Sequence, residues 1–224
     1  MAQYFLVPYS DKDKARELGA RFDGDTKYWY ADTVESIEQM RLHFDPITNP
    51  NPITTLMGED RTFGGNHLHI SMVPMSCWMR SVKACLDPHD WKRLSAGLRQ
   101  RSNHTCELCG AKEDPKREEY LDVIARWEYS ETGNVQTLKR LVSACQMCVR
   151  ATNYGYSKLT GLETEVRHHF KATTGCDDDF LDQHICEAFG LWTQRSSNNQ
   201  KWTMDLSLLS NNGIRLANKG AFEW

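Results

Sequence analysis

Two short motifs of identical spacing carry the clearest chemistry in this chain. Cys106-Glu-Leu-Cys109 and Cys145-Gln-Met-Cys148 are both Cys-x-x-Cys. Two such pairs supply four thiolates in tetrahedral arrangement, which is how structural zinc is bound. The first pair sits in a knuckle opened by His104 and closed by Gly110, and the second follows the apolar run Leu138 to Ala144. The gap between the pairs is wider than in a simple zinc ribbon and long enough for a hairpin. Four buried free thiols, or a redox pair, are the alternatives. Cys77, Cys85, Cys176 and Cys186 belong to no pairing motif and read as small buried hydrophobes.

A second set of residues has the chemistry to meet phosphate. Asp87 followed by Pro88 and Asp90 announces a helix, with Trp91, Leu94 and Leu98 as its apolar stripe. Lys92, Arg93, Arg99 and Arg101 load the remaining surface with positive charge, with no acid between Lys92 and Arg101. With Arg126, Lys139, Arg140 and Arg150 they form the candidate nucleic-acid contacts. A plain solvated face is the alternative. Later in the chain, Asp177, Asp178, Asp179, Asp182 and Glu187 form an acidic contrast, read first as helix-start acids.

The elements that position these groups follow from periodicity. Between the cysteine pairs, Leu121 to Tyr129 reads as a strand, Ser130 to Asn134 as a turn and Val135 to Val142 as the return strand, after which Cys-x-x-Cys opens a helix. On the first strand, Asp122, Ile124, Arg126 and Glu128 would share one face. His67 to Val73 reads as a further strand, with His67 and His69 as outward polar positions rather than ligands. A helix over 158–172 would splay His168 and His169 by about 100° and keep them from sharing a metal. Phe180, His184, Ala188 and Trp192, flanked by Leu181, Ile185 and Phe189, form a helical stripe. Trp202, Met204 and Leu206 alternate as a buried strand face, and Asn211 to Trp224 reads as a loose tail with Trp224 a candidate contact.

Composition bounds the classes. The 224 residues are 40% hydrophobic and 25% charged, so disorder along the whole chain is excluded. A net charge of -3 excludes a polybasic coat protein but not a local basic face. No run of 18 apolar residues occurs and the N-terminus lacks a basic region followed by an apolar core. The chain is therefore expected to be cytoplasmic, with no membrane partner, and its cysteines to be thiols or metal ligands rather than disulfides.

The N-terminal residues form a unit of their own. Tyr4 to Val7 reads as a strand ended by Pro8; Ser10 with Asp13 is a helix start, and that helix ends near Gly19. Tyr28 to Tyr30 is an aromatic strand and Val34 to Phe44 another helix. The run from Val7 to Asp23, followed by Lys27-Tyr-Trp-Tyr30, resembles a small domain of unknown function that recurs in plasmid primases and other mobile-element proteins, over about residues 3–45. Residues 46–66, with Pro46, Pro50 and Pro52 among Asn, Thr and Gly, read as a linker. A second domain spans 67–215 and a tail 216–224. The fold class is α+β.

The second domain resembles the HNH endonuclease family, and one bacterial and phage subfamily of it in particular. The resemblance rests on the strand-turn-strand-helix order, on His69-Ile-Ser-Met-Val-Pro74, Cys77-Trp78, Trp91-Lys-Arg-Leu94, Cys106-Glu-Leu-Cys-Gly110, Trp127-Glu-Tyr129, Val135-Gln-Thr-Leu138 and Trp202-x-x-Asp205-Leu-Ser207. It implies a ββα core, a structural zinc and nucleic acid as the target. In that family the first core strand carries a general-base histidine followed by a glutamate, and the second Cys-x-x-Cys is followed by a histidine and by another four residues later. Here the matching positions are Ile124, Ala125, Val149 and Asn153. Isoleucine accepts no proton, valine coordinates no metal, and asparagine alone is a poor ligand.

The zinc ligands are kept while the catalytic positions are lost, which implies a retained scaffold without catalysis. The expected function is an inactive HNH-like zinc protein of a phage or mobile element. It would bind nucleic acid or a nucleic-acid-processing protein, with an inhibitor or counter-defence role fitting that description. Two alternatives stay open: a divergent metal-dependent nuclease in which Asp122, Glu128 or a histidine from elsewhere takes over, and a purely protein-binding module.

Overall fold

The computed structural model describes residues 2–78, 80–197 and 201–217. It is an α+β protein, and the chain divides into two compact units after Ile53.

In the first unit, β1 (Gln3–Phe5), β2 (Arg21–Asp23), β3 (Tyr28–Ala31) and β4 (Pro46–Ile47) form an antiparallel sheet in the order β2-β3-β1-β4. Helices α1 (Lys12–Glu17) and α2 (Val34–Arg41) complete it. Phe5, Ala15, Trp29, Ala31, Met40 and Phe44 make its core. The expected helix start at Ser10 moves on. Tyr9–Asp11 is a single 3-10 turn, and Asp13 pairs with Arg16 instead of capping. Ile47 pairs with Tyr4, so the first residues of the expected linker belong to this sheet.

The second unit is built on β5 (Asp122–Ser130) and β6 (Val135–Ala144), paired antiparallel from Asp122–Ala144 to Ser130–Val135. Strand β7 (Thr203–Asp205) adds to β6 in parallel, but only along Val135–Thr137. Helix α3 (Pro88–Arg101) precedes the hairpin, and α4 (Gln146–Thr152), α5 (Tyr154–Leu159), α6 (Glu163–Thr174), α7 (Asp178–Ser196) and α8 (Ser207–Ser210) follow it. Asp87 caps α3 as its sequence requires, accepting from the His89 and Asp90 amides. The expected helix over 158–172 is two helices, because Gly161 adopts φ +77° and the chain turns there. Gly175 ends α6 and Asp177 caps α7. The core joins Ile124, Val142, Ala151, Tyr154, Val166, Phe170 and Leu181.

Three expectations change in this unit. Residues 67–73 form no strand, because their backbone is satisfied by other means: Arg126 donates to the His67 carbonyl, the Ile70 amide to the His184 ring, and the Ser71 amide to the Thr152 carbonyl. A β-bulge between Arg126 and Trp127 breaks the expected common face of β5. Arg126 is buried, while beyond the bulge Glu128 is exposed and Trp127 and Tyr129 are half-buried. The start of the expected tail is tied down: Ile214 is buried, and Arg215 and Ala217 bond the backbone of Asp87 and Cys85. Trp224 lies outside the described residues.

The end of the expected linker also belongs to this unit. Beyond β7, the edge of β6 has no strand partner, so its polar groups need other ones. Lys139 accepts from the Asp60 amide at 3.1 Å. Glu59 accepts from the Leu141 amide at 2.9 Å, and Arg101 donates to the Leu141 carbonyl at 2.7 Å. Glu59 and Arg101 also pair with each other at 2.6 Å, with side chains 2% and 7% exposed. Replacing Glu59 by alanine strands a buried guanidinium and a strand amide together. Urea unfolding should show Glu59→Ala less stable by about 3–5 kcal/mol. A loss under about 1 kcal/mol would mean that water replaces the carboxylate.

Candidate metal centre

The strand edge sealed by Glu59 and Arg101 continues into the cysteine knuckle. Two residues past Leu141, Ser143 accepts from the Glu107 amide at 2.9 Å, and its own amide donates to the Glu107 carboxylate at 2.8 Å. Glu107 thus extends the β6 ladder from inside the first Cys-x-x-Cys. The knuckle itself closes by the Cys106 amide on Ala111 (2.7 Å) and the Gly110 amide on Cys106 (3.0 Å). Gly110 has φ +77°, the left-handed conformation that the closure needs and that glycine adopts without a Cβ penalty. Cys145 follows the last residue of β6 as the cap of α4, and Cys148 lies in that helix's first turn. Hairpin and helix therefore bring the second pair to the first.

All four sulfurs, of Cys106, Cys109, Cys145 and Cys148, lie within 4.8 Å of one another, and those of Cys109 and Cys145 are 3.6 Å apart. A tetrahedral ion with sulfur ligands at about 2.3 Å needs sulfurs about 3.8 Å apart, so the cluster can hold a metal ion. Cys106 and Cys148 are buried and the other two half-buried. Without a cation the four cannot all ionise. Cys106 is drawn far down by hydrogen bonds from the Cys145 and Cys148 thiols, while those bonds to Cys106 push Cys145 up to about 11 and Cys148 higher still. One thiolate with its neighbours as donors is the arrangement left to bare sulfur. A divalent ion removes the remaining protons.

The residues around the cluster have settled roles. His104, which opens the knuckle, binds Glu113 at 2.6 Å rather than joining the sulfurs. His169 on α6 lies 3.2 Å from the Cys148 sulfur, whereas His168 is exposed. Ile124 is 5% exposed in the core, Val149 packs against that core and Asn153 is exposed. Asp122 accepts from the Val123 amide, and Glu128 pairs with Lys139 on the surface, so these two carboxylates form no pair. Among the described residues a further cluster with metal-capable side chains is Asp87, His89 and Asp90. Its carboxylates are held by Arg215 and Arg93.

The structure places the candidate phosphate contacts in different environments. Arg101, Arg126 and Arg140 are interior groups: Arg101 belongs to Glu59, Arg140 to Glu107, Gly65 and Asn66, and Arg126 to His67 and His69. Arg126 and Arg140 are each 2% exposed. Arg93 reaches Asp90, and Arg99 reaches Glu113 and the Tyr120 ring. Lys92 and Arg150 are exposed, and Lys139 is partly so. The acidic contrast is likewise spent within the fold, since Asp178 and Asp182 bind Arg167 and Lys171. Spacing alone did not reveal Glu59, Glu107 or Glu113 as braces. The signal is indirect: interior arginines, on α3 as well as on β6, require interior acceptors. Of the unpaired cysteines, Cys77 and Cys85 are buried as expected, but Cys186 is exposed.

Residues 3–42 match a known family, a domain of unknown function (DUF5710). No curated protein and no solved structure matches the chain. Among the described residues, no helix is long and apolar enough to cross a membrane.

Two measurements check this geometry. Purified protein should carry one metal ion per chain, and Cys109→Ser should lose it. Acidification should release it, because each sulfur that takes a proton leaves the ion. Retention of a full equivalent in Cys109→Ser would break the four-sulfur assignment. The second concerns His69, whose pKa burial and the Arg126 charge lower from 6.5 to about 4. A depressed histidine holds its neutral form in the fold, so its contribution is full above pH 6.5 and is lost as pH falls toward 4. Over that window the wild type should lose on the order of 2–3 kcal/mol more than His69→Gln, read by urea unfolding at each pH.

Proposed function

We propose that the second unit is a zinc-held scaffold of the HNH type that does not cut nucleic acid and acts by binding a nucleic acid or a nucleic-acid-processing protein. Zinc is the ion favoured for a closed set of four thiolates. The observation that carries the reading is Ile124. The position where the resembled family keeps its general base is an apolar side chain, 5% exposed, in the core beside Val142. General-base chemistry needs a titratable group within reach of its proton, and burial in hydrocarbon supplies none. Val149 and Asn153 remove the metal-binding pair in the same way. The strand-turn-strand-helix order and the intact cysteine cluster support the scaffold half of the proposal.

For nucleic acid, Lys92 and Arg150 are the exposed members of the candidate set, with Lys139 partly exposed. A protein partner is the second reading. It is favoured by an apolar cleft of about 390 Å³ whose walls include the exposed Met75, Trp78, Tyr156 and Leu159, with Asn153 at its side. The sequence resemblance of the N-terminal unit to a domain of mobile-element proteins favours a phage or plasmid setting, where a non-cutting scaffold would work as an inhibitor or counter-defence factor.

The test incubates the protein with plasmid, linear and single-stranded DNA and with magnesium, manganese or nickel, reading cleavage and mobility on the same samples. The expected result is intact, retarded DNA, with affinity falling in Lys92→Glu/Arg150→Glu and with rising salt. Intact and unretarded DNA moves the assignment to a protein partner. Metal-dependent cutting that Asp122→Ala abolishes would overturn the non-cutting reading.

A further inference from the structure

A second cavity of the same unit, of about 190 Å³, is bounded by residues 63–72, β5 and α7, and none of the four cysteines lines it. Its walls combine Phe63, Trp127 and Leu191 with Arg126, Tyr129 and Arg195, and no carboxylate is among them.

Arg126 is charged and 2% exposed, and among the described residues no carboxylate bonds it, although the Cys148 sulfur and Glu107 favour its charge through space. Its terminal nitrogens donate to neutral groups, the His69 ring and the His67 carbonyl. Its Nε is buried with no acceptor. The nearby carboxylate, Glu107, is taken by Arg140 at 2.9 Å. Burial and the Arg140 charge together lower Arg126 to about 10. An interior guanidinium is costly unless an anion offsets it. On the same cavity, Arg195 lies over the Tyr129 ring at 3.8 Å and gives its Nε to Glu131 at 3.0 Å, so its terminal N–H groups have no described acceptor. The Tyr129 hydroxyl is buried and has no hydrogen-bond partner among the described residues, and burial pushes its pKa up to about 12. Gly64, beside the Arg126 side chain, has φ +69°, a conformation that glycine adopts without a Cβ penalty.

We propose that this cavity binds a phosphate group, with Arg126 and Arg195 as the cationic partners and Tyr129 as a neutral donor. Three donor groups on separate residues suit a phosphate, with its three or four acceptor oxygens, better than a carboxylate with two. The apolar walls suit the first carbons of an ester. The phosphate is that of a small phosphomonoester or of a nucleic-acid end, and both present the same group. The assignment does not rest on the binding function proposed above, since a small phosphate compound occupies the cavity even if no DNA is bound.

The test uses the full chain with inorganic phosphate, and then a short single-stranded oligonucleotide with and without a 5′-phosphate. Phosphate should raise the unfolding temperature saturably, by several degrees at about 10 mM, where chloride of equal ionic strength does not. Arg195→Met should weaken the phosphate response at least tenfold, and Arg126→Met should abolish it. A preference for the 5′-phosphorylated oligonucleotide over its 5′-hydroxyl form identifies a nucleic-acid end. Binding of inorganic phosphate with no such preference identifies a small phosphate compound. Chloride matching phosphate, or an undiminished phosphate response in Arg195→Met, would overturn the site. Calorimetric titration of the wild type with phosphate decides the matter if Arg126→Met does not fold, since absence of a saturable isotherm also overturns it.

Discussion

A strand edge without a neighbouring strand is the constraint around which the second unit is arranged. Strand β6 has β5 along one side, but β7 covers only Val135–Thr137 on the other. The groups beyond that point are interior, and an interior amide or carbonyl without a partner costs about as much as a lost hydrogen bond. The chain meets the need with pieces that are not strands. The Asp60 amide serves Lys139, Glu59 and Arg101 serve Leu141, and Glu107 serves Ser143 from both its amide and its carboxylate. The last of these also fixes the metal centre. Glu107 lies between Cys106 and Cys109, and Ser143 stands two residues before Cys145, so the contact that seals the strand sets one cysteine pair beside the other.

That arrangement separates what the metal holds from what it could catalyse. A four-thiolate site is coordinatively closed and offers no position for water or substrate. An ion held there would tie knuckle, strand and helix together. Beside the cluster, Ile124 lies in the core, Val149 packs against that core and Asn153 is exposed, so none of the three adds a titratable group.

The sequence made the hairpin, the capped helix after Asp87 and the four sulfurs legible, because each depends on local spacing: a period of two, a cap followed by proline, a repeated Cys-x-x-Cys. The segment from His67 to Val73 misled for the same reason. It has strand spacing but no partner strand, and its backbone bonds go to residues distant in sequence, which no local pattern records. The register shift after Arg126, which leaves Lys139 of β6 unpaired, is equally silent, as is the change from buried Arg126 to exposed Glu128 along β5. The division into units was only partly legible, since proline and asparagine mark irregular backbone without distinguishing a free linker from a loop that carries Glu59 into a buried ion pair.

The basic residues show most clearly why count and spacing fall short. Eight cations were candidates for phosphate, and three of them, Arg101, Arg126 and Arg140, are interior. Interior arginine is tolerated where a carboxylate meets it, as Glu59 meets Arg101 and Glu107 meets Arg140. Arg126 breaks that pattern: it has the same burial and has neutral partners only. Its surroundings explain how the fold bears it, since neutral His69 and the His67 carbonyl accept its N–H groups, but hydrogen bonds to neutral groups do not cancel a charge. Its charge stands beside a cavity that a second guanidinium, Arg195, also lines. Where two of three buried arginines carry their own anion and the third faces a cavity, the missing counter-charge is the property of the fold that an added ligand would supply.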